Sequence, residues 1–458
     1  MDEPRRGDGT GDFAADNSRA TAGQTAQAAG HDHALEQSDS SLRQVDVNAL
    51  PQTGKYSFPP IVRALHNSNF RLFWSGNFLS NIGTWMQNVA QGWLVLVLTG
   101  SAFWLGVVGF AGSIPFLFIT LFGGVVADRV NKRRLLLVTQ TVMMALAFLL
   151  AALAYLKVIT VWEIALIAFL NGAAMAMNAP SYQAIVPRLV EREDLTNAIA
   201  LNSAQFNMSR ILGPSLGAYA MAAMGVAGNF FLNGLSFLAV LAALLRIRYP
   251  KEREEIHSGV LTSMGEGFRY VRSQPQMQAL MGLVATASLL GIPFLTFIPY
   301  FARIQLHTGE SGLGWLLAGS GSGAVMGAIL VAARGTMPRK GVVIAVSGVV
   351  FFGSIVAVCY SHNFHLSAGL LVIEGFAAIL MVSSANIGIQ QMSSDAMRGR
   401  VMSIYATCFL GLPPLGSLLA GEMSRHLSTP HVLALMASVA ALIFLVFLFT
   451  SRQLRAIE

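Results

Sequence analysis

Charged residues are scarce in this chain. Asp, Glu, Lys and Arg make up 12% of its 458 residues, against roughly 25% in an ordinary soluble domain. With 54% of the residues apolar, there is too little charge to coat a water-soluble surface. Cysteine is scarcer still. The two that occur, Cys359 and Cys408, sit inside apolar runs and read as small buried hydrophobes, which excludes a disulfide framework. The Gly-x-x-x-x-Gly-Lys-Ser/Thr loop that cradles phosphates is absent, which argues against ATP as the energy source. Acids and histidines do not cluster at ligand spacing. His31 and His33 have no further ligands nearby, so neither a metal nor a cofactor is expected. The net charge of +7 is scattered over short loops, and a nucleic-acid partner is not expected either.

What the chain has in quantity is apolar sequence of membrane length. Residues 1–62 stand apart: rich in Gly, Ala, Ser, Asp and Gln, they lack the apolar core of a signal peptide and read as a disordered cytoplasmic tail. From Phe70 onward, apolar segments follow one another with short polar breaks, each near the ~20 residues a helix needs to cross ~30 Å of hydrocarbon. The expected spans are 70–98, 104–127, 134–156, 160–186, 195–221, 226–247, 276–302, 312–334, 341–360, 366–391, 399–423 and 430–451. The reading is an all-α polytopic membrane protein of about twelve transmembrane helices. The 44 glycines suit close helix packing in lipid. The longest interior break divides the spans into bundles at 63–247 and 276–451, with a linker at 248–275 and a short tail at 452–458. In the linker, Leu261, Met264, Phe268 and Val271 recur at helical spacing, the mark of an amphipathic helix on the membrane surface. With the N-terminal tail inside, the inner loops hold Arg129, Lys132, Arg133, Arg134, Arg188, Arg192, the cations of 246–272, Arg334, Arg339, Lys340, Arg398 and Arg400. The outer loops hold Lys157, Arg303 and Arg425. That imbalance places both termini in the cytoplasm.

Polar residues inside the spans are costly against lipid and tend to face a cavity or a neighbouring helix. Asn77, Asn81, Thr84, Asn88 and Gln91 share one face of the first span and form a candidate cavity wall. Asn171 and Asn178 of the fourth span and Asn202 of the fifth, with Gln205 and Ser209, extend the same character. Arg210 lies roughly 15 residues into the fifth span, ~20 Å along its axis, so it must meet a carboxylate, carbonyls or water. Glu374 is the acid well inside a span and can take up and release a proton during transport, although the helical wheel points it away from Ser383 and Gln390. Gly213, Pro214 and Gly217 break the fifth span's hydrogen-bond ladder and permit close backbone contact, as at a packed hinge. Pro413 and Pro414 stand in the corresponding place of the eleventh span, which points to two related halves.

The loop after the second span carries Gly124, Asp128, Arg129, Asn131, Lys132 and Arg133. It resembles the Gly-x-x-x-Asp-Arg-x-Gly-Arg-Arg pattern of the major facilitator superfamily, with Asn131 in place of a glycine; asparagine tolerates the left-handed backbone that position would need. The segment Ser209 to Ala218 is similar to that superfamily's antiporter motif, with two outer glycines replaced. Stretches such as Asn69 to Trp74, Gly83 to Gln87 and Asn178 to Pro180 resemble the drug:proton antiporter branch that includes enterobactin and macrolide exporters. The resemblance implies two pseudo-symmetric six-helix bundles in the inner membrane, acting as a monomer in the lipid bilayer. It implies export of a small amphipathic molecule by alternating access, driven by a proton gradient. It also implies a cytoplasmic gate at Gly124, Asp128, Arg129, Lys132, Arg133 and Arg188. The alternatives are a lysophospholipid transporter of the same fold and, on weaker grounds, a membrane-embedded lipid-modifying enzyme.

Overall fold

A computed structural model describes residues 60–129, 131–247, 260–334 and 339–450. Residues 1–59, 130, 248–259, 335–338 and 451–458 lie outside the described residues, as do the side chains of 60–61, 117–129, 260–264 and 450. Among the described residues the regular structure is helical throughout, without a strand. In chain order the helices are α1 (Ser68–Thr99), α2 (Ala102–Arg129), α3 (Lys132–Tyr155), α4 (Val161–Ile185) and α5 (Leu195–Arg246). The next are α6 (Val260–Ser273), α7 (Pro275–Leu290) and α8 (Phe294–Tyr300), the last running on into a π-helical turn at Phe301–Gln305. Then come α9 (Glu310–Arg334), α10 (Lys340–Tyr360), α11 (Phe364–Met392), α12 (Asp395–Met423) and α13 (Thr429–Thr450).

Local chemistry sets several of these boundaries. Asn67 caps α1 by accepting from the backbone N–H groups of Asn69 and Phe70, and Gly100, with φ 63°, closes it in the left-handed conformation. Glu163 reaches back to the Thr160 N–H at the start of α4. Asn131 departs from the sequence expectation. Its φ is −56°, not left-handed, and its side chain accepts from the Arg134 N–H, so asparagine serves there as the N-cap of α3.

Nine helices among the described residues are long and apolar enough to cross a membrane. One run, Arg192–Arg246, contains 55 residues, about 80 Å of helix, more than twice a ~30 Å hydrocarbon core. It breaks at Gly225 (φ 71°, ψ 176°), where a side chain would be strained, so the chain reverses there and α5 supplies two passes. The amphipathic linker helix appears as α6, with Gly267 and Val271 buried and Phe268 exposed.

The packing falls into two groups. In the first, α5 lies along α1 and α3, and α2 along α4; in the second, α11 lies along α9 and α10, α13 along α10, and α12 along α7. The two repeat one device. A Cβ on Gly217 of α5 would come within 2.8 Å of the Met86 Cα on α1, and one on Gly416 of α12 within 1.9 Å of the Leu289 carbonyl on α7. The groups meet where α2 touches α12, α5 touches α9, and α8 touches α1 and α2.

Candidate functional site

The polar face of α1 divides along its length. Near its start, Asn77 is buried and its Nδ2 donates to the Tyr182 hydroxyl of α4 at 2.9 Å and to Gln205 Oε1 of α5 at 3.3 Å. The Tyr182 hydroxyl in turn donates to Asn202, so three helices are tied at one point. Asn178 faces α3 instead, accepting from Thr139 Oγ1 at 3.0 Å. Thr84 turns back to the Ser80 carbonyl on its own helix. Asn81, Gln91 and Asn171 are half-buried, and Asn88 is exposed. Several polar residues of this bundle were not among the sequence candidates. Gln87 and Asn233 are both buried and bonded to each other at 2.7 Å, and Asn229 donates to the Gly217 carbonyl at 2.7 Å. Their signal was simply a polar side chain inside an apolar run.

Arg210 and Glu374, two charged side chains deep in the spans, belong to helices of different groups. Glu374 of α11 is 2% exposed, and its Oε2 accepts from the Ser320 hydroxyl of α9 at 2.7 Å. Gly375 allows that approach, since a Cβ there would lie 1.9 Å from the Ser320 carbonyl. Arg210 of α5 is half-buried, lies within electrostatic reach of Glu374 and forms no ion pair with it. α5 and α9 run alongside each other here, and Gly321 of α9 packs on Ile211, the residue after Arg210. Chemically, the arrangement is a cation and a proton-accepting group on opposite sides of an interface. Glu374 attracts Arg210 when charged and does not when it carries a proton.

Gly213, Pro214 and Gly217 are buried where α5 crosses α1, with a Cβ on Gly213 only 2.4 Å from that of Trp85. Gly124, Asp128 and Arg129 fall in the last turns of α2, and their side chains lie outside the described residues. Arg133 donates from Nε to the Leu244 carbonyl at 2.8 Å and from Nη2 to that of Leu245 at 2.9 Å. A cation there complements the negative end of α5. Lys132 begins α3, and Arg188 ends a short 3-10 turn, Val186–Arg188. No group of three or more potential metal ligands occurs among the described residues.

Contacts between the groups gather at the end of the molecule formed by residues 99–102, 303–310 and 424–428. There Gly106 lies against the Ser417 carbonyl, Gly314 against Ala218, and the Trp93 Nε1 donates to Glu310 Oε1 at 3.1 Å. At the opposite end, the described ion pairs stay within a group: Arg63 with Glu193 and Asp194, and Arg400 with Glu266 at 2.6 Å.

Residues 60–458 match the MFS_3 family, described as transmembrane secretion effector. The chain is 25% identical over 400 residues to the staphyloferrin A transporter of Staphylococcus aureus, covering 84% of this chain and 97% of that protein. It is 24% identical to the multidrug efflux pump Tap of Mycolicibacterium fortuitum over 75% of this chain and 86% of that one. It is 20% identical to macrolide efflux protein A of Streptococcus pyogenes over 79% and 91%. Among solved structures, the nucleoside transporter NupG superposes with a TM-score of 0.66 at 13% identity, covering 83% of this chain and all of that one. A bacterial homologue of the human lysosomal transporter Spinster, in an inward-facing and unoccupied conformation, gives 0.63 at 14% identity over 87% and 97%.

Proposed function

The chain belongs to the transmembrane secretion effector family of major facilitator transporters, and from that premise we propose that it is a proton-coupled exporter of amphipathic small molecules. It is a multi-pass membrane transporter and not an enzyme. The substrate class follows its relatives, whose names speak of a siderophore, of multiple drugs and of macrolides. The transporter acts as a monomer in the cell's inner membrane with both termini cytoplasmic, as the crowding of cations at one set of loops supports. The proton gradient is its energy source, and it binds no cofactor.

What supports the coupling is the burial of Glu374, bonded at 2.7 Å to Ser320 on α9, the helix that packs along the Arg210-bearing α5 across the seam between the groups. With Glu374 charged, attraction holds α5 toward α11. A proton on Glu374 removes that attraction and frees the seam to rearrange, so proton loading and the change of access are linked. The contacts gathered at one end support a state closed to the outside in this orientation, and alternating access requires a second state closed at the inner end. In that second state Gly124, Asp128, Arg129, Lys132, Arg133 and Arg188 form the cytoplasmic gate. The cavity between the groups is walled by Asn81, Asn88, Gln91, Asn171, Asn202 and Arg210, with Asn77, Thr84 and Asn178 bonded within the first group behind it, and Gly213, Pro214 and Gly217 serve as the hinge.

The test uses inside-out vesicles with an imposed proton gradient, offered siderophores, macrolides, dyes and lysolipids. Accumulation of at least one class should follow the gradient. Glu374→Gln should abolish uphill accumulation while leaving downhill exchange. Accumulation indifferent to the gradient would overturn the proton coupling, and accumulation confined to lysolipids would replace the substrate class.

A further inference from the structure

Two of the three outer-loop cations, Arg303 and Arg425, break the rule that this chain keeps its cations inside, and the structure places each over an aromatic ring of the opposite helix group. The Arg303 guanidinium carbon lies 5.5 Å from the centre of the Trp93 ring on α1. The Arg425 guanidinium carbon lies 5.1 Å from the Phe103 ring centre on α2. We propose that Trp93 and Phe103 are the outer gate residues of the transport cycle, each latched by an arginine from the other group. This rests on the alternating-access reading above.

The Trp93 latch is the more specific of the two. An indole offers a negative face and a positive N–H edge, and Trp93 uses both at once. Arg303 covers its face, and its Nε1 donates to Glu310 at 3.1 Å. Trp93 is 4% exposed, so both contacts form against a ring shielded from water. An aliphatic side chain can replace neither contact, and phenylalanine can replace one.

The partners are held in place by local structure. Glu310 is the first residue of α9, where the positive end of the helix favours a carboxylate. Arg303 lies in the π-helical turn Phe301–Gln305, a widened turn of the kind often found at functional sites. That turn is pinned on both sides. Gln305 Nε2 donates to the Cys359 carbonyl at 3.0 Å and to that of Ser361 at 2.7 Å, and Thr308 Oγ1 donates to the Ala302 carbonyl at 2.9 Å. At the second latch, Arg425 is steadied by Glu422 at 3.3 Å, and a Cβ on Gly421 would lie 3.0 Å from the Phe103 carbonyl, so ring and cation meet at a close helix crossing. The latches flank the seam, one at α1 with α8 and α9, the other at α2 with α12.

The test is double electron–electron resonance on the purified full chain in nanodiscs, in a Cys359→Ala, Cys408→Ala background. Spin labels go at Ser101 and His307, on the outer ends of the two groups. The latched protein should give one short distance. Trp93→Ala, Glu310→Ala and Phe103→Leu should each raise the long-distance population at least tenfold, and Trp93→Phe should fall between wild type and Trp93→Ala. Trp315→Ala, on an exposed part of α9, should change nothing. An unchanged distribution in Trp93→Ala and Glu310→Ala would overturn the latch, as would an equal response to Trp315→Ala. Either result leaves the gradient-driven flux assay to decide the exporter reading separately.

Discussion

At the scale of single residues, the sequence states the need and the fold supplies the partner. Arg210, placed mid-span, demands a counter-charge, and Glu374 is the deep acid available; both are legible in the chain. Their proximity across the seam is not, because it depends on how α5, α9 and α11 rotate against one another. The helical wheel does place Glu374 away from Ser383 and Gln390, and that face meets Ser320. The α1 stripe teaches the opposite lesson. A shared face does not imply a shared environment, for Asn77 is bonded across to α4 and α5 while Asn88 is exposed. Gln87 and Asn233 give a residue-scale prediction. Each is buried with the other as its side-chain amide partner, so replacing one by Leu leaves the other's amide unmatched at a cost of about 1–3 kcal/mol. The double replacement should cost less than the sum, with a coupling of about 0.6 kcal/mol, the average for such bonds in a membrane protein, and no more than about 1.7 kcal/mol. A double-mutant cycle on unfolding in detergent checks this, and strict additivity would refute it.

At the scale of elements, apolar run length locates the helices well, and the Gly-Pro segments mark where α5 and α12 come closest to α1 and α7. Run length also separates 195–221 from 226–247, and the structure breaks there at Gly225, where two passes follow with almost no connecting loop. The Asn131 turn is what the sequence misreads, because its pattern does not say whether the side chain or the backbone does the work; the cap to Arg134 does it. Glycines differ correspondingly in what they tolerate. Gly217→Ala would drive a methyl to 2.8 Å from the Met86 Cα, whereas a Cβ at Gly353 meets nothing within 4 Å. The first substitution should destabilise by about 1–3 kcal/mol through overpacking. The second should be neutral or stabilising by up to about 1 kcal/mol, since alanine is the better helix former. Opposite shifts in thermal midpoint are the expected readout.

At the scale of the whole molecule, the two-group architecture was readable from the count of spans and the repeated proline segments, but the state of the molecule was not. Which end is closed depends on contacts such as Gly106 with Ser417 and Gly314 with Ala218, which no single helix encodes. A closed outer end has a direct test. Asn207 is exposed on the face of α5 that carries Arg210, so in a Cys359→Ala, Cys408→Ala background Asn207→Cys should react with a membrane-impermeant thiol reagent from the inner side. Reaction from the outer side at a comparable rate would refute the closed state. The brevity of the connections at one end has a practical consequence. Gly100 and Ser101 join α1 to α2, Gly225 alone turns α5 back on itself, and Ser361–Asn363 join α10 to α11. In the proposed orientation, which puts these turns outside, an antibody, a phage or a protease approaching from outside finds little chain to grip, and an epitope tag or affinity handle belongs on the inner face.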